Sequence, residues 1–204
     1  MQKDSAALGR ETVVRVVVIA DTHVPDRVTG LPPHFLDELA ALSPDAILHA
    51  GDISTKSVLS ELSTVAPVIA VRGNRDFSLH RQLPLIARAE FGGVKLAVTH
   101  GHGGVWRYFL DKLHYVSFGY RFAFHQRYLM KTLPDAEVIV FGHTHVPELV
   151  QDGKHLFFNP GSLTGSQGFD PVYGILEINL EGEVKGRHVY LAKTKRSGRN
   201  WVEV

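Results

Sequence analysis

The chain has 204 residues, of which 44% are hydrophobic and 21% are charged, an ordinary composition for one globular domain that excludes collagen-like, disordered and membrane classes. Lys and Arg (22) nearly balance Asp and Glu (21), so no overall charge favours DNA or a membrane surface as a partner. Cysteine is absent, which excludes disulfides and thiolate metal sites and fits a reducing, cytoplasmic location.

The chain begins with a polar stretch followed by a short apolar run. Residues 1–12 lack periodicity and are expected to form a disordered tail, whereas residues 13–204 are expected to form one domain. The run from Val13 to Ala20 is short, contains Arg15 and is followed at once by Asp21. It therefore predicts a buried strand rather than a signal peptide or a membrane-spanning helix, and no membrane partner is expected.

Strands and helices alternate in the first half of the sequence. The β-branched runs 15–20, 46–49 and 68–71 are separated by helix-compatible stretches at 33–42 and 55–65, which predicts parallel strands in βαβ units. In the second half, short turns such as Asp152-Gly153 and Glu181-Gly182 join further strand-like runs at 95–99, 137–141, 146–150, 155–158, 173–179 and 184–191. This half is expected to be mostly antiparallel. Both halves fit one α/β domain of two facing sheets with helices outside.

The segment Gly103–Leu133 shows no strand alternation and predicts one or two helices inserted between strands. It is rich in aromatic residues, with Arg and Lys among them. The aromatics could form a local core, an interface between subunits or a cap over a nearby site, and the basic residues would help to hold an anionic substrate. We expect a homodimer contact through 103–133 that also shapes the entrance of the site. Nucleic acid is disfavoured as a partner because the chain has no broader charge excess.

Metal-capable side chains follow five of the predicted strands directly. The clusters are Asp21-Thr22-His23, Gly51-Asp52, Gly73-Asn74-Arg75-Asp76, His100-Gly101-His102 and Gly142-His143-Thr144-His145. Any one cluster alone is better explained by a structural role than by metal binding, because Asp often caps a helix and Asn beside Gly often forms a turn. Caps and turns do not require His-x-His twice together with Asp-x-His, so the whole set predicts a metal site at the strand ends.

Carboxylate, imidazole and amide ligands suit divalent metals, and an Asp can bridge two ions. Two ions about 3.5–4 Å apart can hold a phosphate, lower the pKa of a bridging water and stabilise charge on the attacking and leaving oxygens. The predicted chemistry is therefore phosphoester hydrolysis. We expect two divalent ions, Mn first, with Fe, Zn, Ni or Mg as alternatives.

The order of these motifs resembles the calcineurin-like metallophosphoesterase superfamily, in particular its small YfcE-type phosphodiesterase branch. The resemblance spans residues 15–190, and the sequence Asn159-Pro160-Gly161-Ser162 looks like the C-terminal loop of that branch. It implies a four-layer αββα sandwich with two mixed sheets, and a hydroxide that bridges two metals as the nucleophile.

The resemblance also implies a role for each matching residue. The first metal would be bound by Asp21, His23 and His145. The second metal would be bound by Asn74, His100 and His143. Asp52 would bridge the two metals.

Arg75 stands where many relatives carry His. Arginine stays protonated, so it can stabilise phosphoryl charge but cannot donate a proton. The expected catalytic residues are therefore Arg75, Asp76 as a carboxylate that orients Arg75 or a ligand, and His102 as a proton donor or a support of the metal shell. This set favours diesters, or esters with acidic leaving groups, over alkyl monoesters.

Three functions stay open from the sequence. The preferred one is a phosphodiesterase that acts on a small nucleotide-like or other diester. The second is a phosphomonoesterase, which Arg75 disfavours. The third is a non-catalytic, protein-binding scaffold like the small retromer subunit, which shares the implied fold without a competent metal site; the complete ligand set disfavours it.

Overall fold

Two five-stranded sheets packed face to face form the centre of the fold. A computed structural model of the chain describes residues 13–166 and 168–203, so the tail expected over 1–12 lies outside the described residues. Along the chain the strands and α-helices are β1 (Val14–Ile19), α1 (Phe35–Leu42), β2 (Ala46–His49), α2 (Lys56–Leu62), β3 (Val68–Ala70), β4 (Ile86–Phe91), β5 (Val94–Thr99), α3 (Val105–Phe118), α4 (Phe122–Thr132), β6 (Val138–Phe141), β7 (Glu148–Asp152), β8 (His155–Asn159), β9 (Val172–Ile178), β10 (Val184–Tyr190), β11 (Thr194–Ser197) and β12 (Asn200–Glu203).

The first sheet has the strand order β10-β9-β1-β2-β3. Its strands β1, β2 and β3 are parallel, with Val16 opposite Ala46 and Ile47 opposite Val68. β9 and β10 complete it as antiparallel neighbours of β1. Because β1, β2 and β3 run in the same direction, the loops that follow them meet at one edge of the sheet.

The second sheet has the strand order β4-β5-β6-β8-β7. β4 is antiparallel to β5, and β7 is antiparallel to β8. The prediction of mostly antiparallel pairing is wrong at the centre of this sheet, where β5, β6 and β8 are parallel. The helical segment between β5 and β6 carries the chain back to the end of the sheet where β5 began, so β6 runs parallel to β5. The strand β7 does the same between β6 and β8. The predicted sandwich with two mixed sheets is confirmed.

Three apolar layers hold the sandwich together. Val17 and Ile19 of β1 pack against α1 and α2 on the outer face of the first sheet. Val16 and Val18 point the other way, into the layer between the two sheets. Both faces of β1 are therefore buried, which explains its unbroken apolar sequence. A third layer lies outside the second sheet, where α4 buries Leu129.

Residues 103–133, between β5 and β6, contain the helices α3 and α4. α4 packs on the second sheet through Phe122, whose ring centre lies 6.0 Å from that of Phe141 and 5.5 Å from that of Phe157. α3 leaves large apolar side chains exposed, including Trp106 and Phe109. Across the described ranges, neither α3 nor any other helix has the length and apolar character needed to cross a membrane.

Candidate metal centre

The predicted ligand residues meet at one end of the sandwich. Five of them are buried and two are partly buried, and the seven are Asp21, His23, Asp52, Asn74, His100, His143 and His145. They follow β1, β2 and β3 of the first sheet and β5 and β6 of the second. Because the two sheets face each other, the loops after these strands converge above the layer between them.

Asp21, His23 and His145 form one group of converging ligand atoms. Oδ1 of Asp21 lies 3.2 Å from Nε2 of His145 and 3.6 Å from Nε2 of His23. The two Nε2 atoms lie 3.4 Å apart. Oδ1 of Asp21 is buried without a hydrogen-bond partner among the described residues. A buried carboxylate oxygen surrounded by imidazole nitrogens fits a divalent cation.

His100 organises a second group with Asp52 and Asn74. Nδ1 of His100 donates to the carbonyl oxygen of Ala50 at 2.7 Å. This hydrogen bond fixes the ring and leaves Nε2 as the atom that can bind a metal. Nε2 lies 3.2 Å from Oδ1 of Asn74 and 3.4 Å from Oδ1 of Asp52. The ring centre of His143 lies 5.1 Å from that of His100.

The carboxylate of Asp52 lies between the two groups. Its Oδ1 faces His100, and its Oδ2 lies 3.8 Å from Nε2 of His23. The backbone N–H of Arg75 donates to Oδ1 at 2.8 Å and holds the carboxylate in place. Asp21 also reaches the second group, since ligand atoms of Asp21, Asp52 and His100 lie within 4.8 Å of one another. One oxygen of Asp52 toward each group is the arrangement that a bridging ligand needs.

The electrostatics of the centre reflect two buried carboxylates among imidazoles. Burial lowers the pKa of His23 to about 3 against the opposing charge of Asp21, so this ring is neutral near pH 7. Burial alone would raise the pKa of Asp21, but the imidazole of His145, followed by those of His100 and His23, lowers it well below its usual range. For His100, burial would lower the pKa, but Asp52 and Asp21 raise it. The centre therefore concentrates negative charge that a cation can neutralise.

The ligand loops are held in a strained backbone conformation. Five residues of the centre have φ between 48° and 71°, namely Asp21, His23, Asp52, His143 and His145. This left-handed region costs a non-glycine residue about 1–3 kcal/mol, so the surrounding structure must enforce it. Strain of this kind concentrates at functional sites.

The loop 159–162 supports the ligand loops from the second sheet. Nδ2 of Asn159 donates to Oγ1 of Thr144 at 2.9 Å and to the carbonyl oxygen of Gly142 at 3.2 Å. Oγ of Ser162 donates to the carbonyl oxygen of Asp21 at 3.2 Å. The loop thus fixes the backbone on which ligands of both sheets are mounted.

Arg75 is exposed at the rim of the centre, whereas His102 lies beside His100. The side chain of Arg75 is 46% exposed at the rim, and its Nη1 lies 3.9 Å from Oδ2 of Asp26. His102 is buried, with its ring centre 5.4 Å from that of His100. Burial, followed by the charge of His100, lowers the pKa of His102 to about 4, so its ring is neutral near pH 7.

Asp76 lies beneath the ligand loops and binds backbone groups. Its buried carboxylate accepts hydrogen bonds from the backbone N–H groups of Ile53 at 2.8 Å, Ser54 at 2.6 Å and Gly73 at 2.7 Å. These three bonds tie the loop after β2 to the loop after β3. They favour a role for Asp76 in positioning Asp52 and Asn74, which lie on the same two loops.

Replacing Asp76 by Asn should destabilise the protein by about 2 kcal/mol or more, because an amide cannot accept on both terminal atoms and hydrogen bonds to charged groups contribute about 1.5–3 kcal/mol each. Urea unfolding measures this change, and the affinity for divalent metal should fall with it. Asp37→Asn, at an exposed position of α1, is the matched control. Lost activity with an unchanged unfolding free energy and metal affinity would instead assign Asp76 a direct role in the reaction.

Arg27 also belongs to the centre, although the sequence did not single it out. It lies four residues after His23, and its Nη1 lies 3.3 Å from Nδ1 of His145. His49, at the end of β2, also lies beside the centre: its Nε2 lies 3.2 Å from Oγ1 of Thr22, and its Nδ1 accepts the backbone N–H of Gly51 at 3.2 Å. The only sequence signal for either is proximity to a ligand motif.

The fold and the site together are typical of a metal-dependent hydrolase. Oxygen and nitrogen donors, a buried carboxylate oxygen without a hydrogen bond and two overlapping ligand groups all fit divalent ions. Sequence comparison gives the family: the sequence model of the calcineurin-like phosphoesterase superfamily domain matches residues 14–181. The chain belongs to this superfamily, as predicted, and its class of activity is metal-dependent phosphoester hydrolysis.

Individual relatives agree with this assignment. The chain is 33% identical over 167 residues to a probable metallophosphoesterase of Methanothermobacter thermautotrophicus, covering 81% of this chain and 86% of the relative. It is 32% identical over 170 residues to a probable metallophosphoesterase of Methanocaldococcus jannaschii, covering 83% and 78%. Among solved structures it is similar to Vps29 of Entamoeba histolytica in complex with Zn²⁺, with a TM-score of 0.64, 27% identity and coverage of 86% and 98%.

Proposed function

We propose that the chain is a cytoplasmic phosphodiesterase that hydrolyses small phosphodiesters with two divalent ions, Mn²⁺ first among them. The observation that carries this proposal is the position of Asp52, with one carboxylate oxygen toward His100 and the other toward His23. A complete set of ligand types surrounds it. Divalent ions held there would activate a water as the nucleophile and neutralise charge on the scissile phosphate.

The residues beside the ligands favour diesters. Arg75 is exposed at the rim, where its guanidinium can contact the non-bridging oxygens of a substrate but cannot protonate a leaving group. His102 is neutral near pH 7, so it supports the metal ligands rather than acting as a charged acid. A leaving group that departs without a proton must itself be acidic, as the phenol of an aryl ester is.

Replacing Arg75 by His should raise the ratio of monoester to diester hydrolysis by on the order of tenfold to a hundredfold, since imidazole can supply general acid catalysis. The measurement compares an alkyl monoester, glycerol 2-phosphate, with bis(4-nitrophenyl) phosphate in Mn²⁺-reconstituted protein, because an alkoxide leaving group needs a proton and 4-nitrophenolate does not. Arg88→His is a matched control, because Arg88 is exposed and pairs with Asp135 away from the centre. A wild-type preference for alkyl monoesters would contradict the inference from Arg75.

A protein-binding scaffold is the second candidate, and two observations favour it. The chain is similar in structure to Vps29. α3 also exposes Trp106, Phe109 and Leu113 to 84%, 60% and 65%. A second copy of this chain is the partner that we propose for α3, and light scattering of wild type and Leu113→Glu tests it. A monomeric wild type would refute the dimer. Absence of diester hydrolysis by the wild type at every metal loading would favour the scaffold.

A further inference from the structure

Three arginines from separate parts of the chain lie beside the metal centre, and we call Arg27, Arg75 and Arg196 the arginine rim. Arg27 follows β1, Arg75 follows β3, and Arg196 belongs to β11. Arg27 is partly buried, its backbone N–H donates to the carbonyl oxygen of His23 at 2.8 Å, and its guanidinium reaches His145. Arg75 and Arg196 are exposed to solvent.

The β11–β12 hairpin is fastened to the loop that carries Arg27. Nε1 of Trp201 donates to the carbonyl oxygen of Gly30 at 2.8 Å, and the backbone N–H of Thr29 donates to that of Arg199 at 3.0 Å. Arg196 is paired directly with Trp201 across the hairpin, so both side chains leave the same face. Arg196 therefore projects on the side that contacts the Arg27 loop. The hairpin follows the superfamily match, which ends at residue 181.

Three guanidinium groups act on one another at this rim. Burial lowers the pKa of Arg27, Asp21 opposes this shift, Arg75 and Arg196 add to it, and Asp52 also opposes it. Asp26, 3.9 Å from Arg75, is the carboxylate that the described part of the chain brings within ion-pair distance of the rim. Divalent ions at the ligand groups would neutralise Asp21 and Asp52, and the three guanidinium groups would then keep capacity to bind an anion.

The contact between Arg27 and His145 links the rim to the ligands. Nδ1 of His145 must act as the acceptor in this contact, because a guanidinium only donates. A neutral imidazole that binds a metal through Nε2 keeps its proton on Nδ1, which can then no longer accept. With His145 holding a metal, the donors of Arg27 would therefore be available to an anion.

We infer that the arginine rim binds a second anionic group of the substrate, so that the preferred diester carries a further phosphate, as an ester of a nucleoside bisphosphate does. This inference rests on the proposed phosphodiesterase function and adds a substrate class to it. The scissile phosphate lies at the ligand groups, and the additional phosphate lies against Arg27 and Arg196.

The test compares the 4-nitrophenyl ester of thymidine 5′-phosphate with the same ester carrying a 3′-phosphate. In Mn²⁺-reconstituted wild type, KM should be about tenfold lower for the 3′-phosphorylated ester, as expected for charge-assisted hydrogen bonds to one phosphate. Arg196→Gln should bring the ratio of the two KM values close to one. Arg187→Gln, on β10, makes the same change of charge at an exposed position outside the rim and should preserve the ratio.

Calorimetric titration with thymidine 3′,5′-bisphosphate provides a readout that does not depend on catalysis. Its affinity should fall about tenfold in Arg196→Gln and stay at the wild-type value in Arg187→Gln. Equal KM values in wild type, or an unchanged ratio and affinity in Arg196→Gln, would overturn the inference. If wild type hydrolyses neither ester, the proposed function fails, and the titration alone decides whether the rim binds phosphate.

Discussion

Replacing Asp52 by Asn should remove both metal ions and slow diester hydrolysis by about a thousandfold or more, because the ions supply several kcal/mol of transition-state stabilisation. The physical reason is the position of this carboxylate, with Oδ1 toward His100 and Oδ2 toward His23. An amide keeps the shape of the side chain but loses its charge and one acceptor. Elemental analysis after gel filtration measures the metal content, and hydrolysis of bis(4-nitrophenyl) phosphate measures the activity.

Two further variants give this prediction its controls. Asn74→Ala removes a ligand of one group only, so it should lose one ion more readily than the other. Asp135→Asn makes the same chemical change at an exposed carboxylate that pairs with Arg88, and it should retain the full metal content. Retention of both ions in Asp52→Asn would refute a bridging role.

Replacing Gly73 by Ala should likewise remove metal, although residue 73 offers no side-chain ligand. A Cβ at this position would overlap the carboxylate and the backbone nitrogen of Asp52. The Gly73 N–H also donates to Asp76 at 2.7 Å, so the backbone cannot move aside freely. Overpacking of this kind costs about 1–3 kcal/mol. We expect near-native circular dichroism with metal content reduced by half or more.

Gly30→Ala is the matched control for Gly73→Ala. Nothing lies within 4 Å of the position that a Cβ would occupy at residue 30, and its φ is not left-handed. This variant should keep both metal content and activity. A folded Gly73→Ala protein with full metal content would show that Asp52 does not need its observed position.

The sequence predicted the central strands well because both faces of these strands are buried. β2 has the predicted bounds, Ala46–His49, and β1 differs from its prediction by one residue at each end. The expectation of mostly antiparallel pairing in the second half was wrong only for β5, β6 and β8, because hydrophobic runs identify strands but not the direction of their neighbours. Direction depends on the crossover between β5 and β6, whose helices the sequence did not orient.

Polar strands escaped the sequence analysis. β4 carries Arg88 and Glu90 on the edge of the second sheet, where alternate side chains face solvent. β11 and β12 form a separate two-stranded sheet within the described residues and are largely exposed. Their formation depends on pairing and on the contact of Trp201 with Gly30, which links residues distant in sequence.

The ligand types could be predicted because each motif follows a hydrophobic strand, and strand ends on one edge converge. The left-handed backbone conformation of Asp21 and Asp52 could not be predicted from the sequence, because it arises from contacts between loops. The backbone partners of Asp76 on the loop after β2 lie more than twenty residues away, so its position was also beyond sequence reasoning. Arg27 has no motif of its own.

Titration of metal into chelator-treated protein tests the central claim most directly. Mn²⁺ is added in steps while hydrolysis of bis(4-nitrophenyl) phosphate is followed. The two ligand groups, joined through Asp52, predict that activity rises with added metal and saturates when two ions are bound per chain. Absence of diester hydrolysis at every loading of Mn²⁺, Fe²⁺ and Zn²⁺, or full activity without bound metal, would contradict the account.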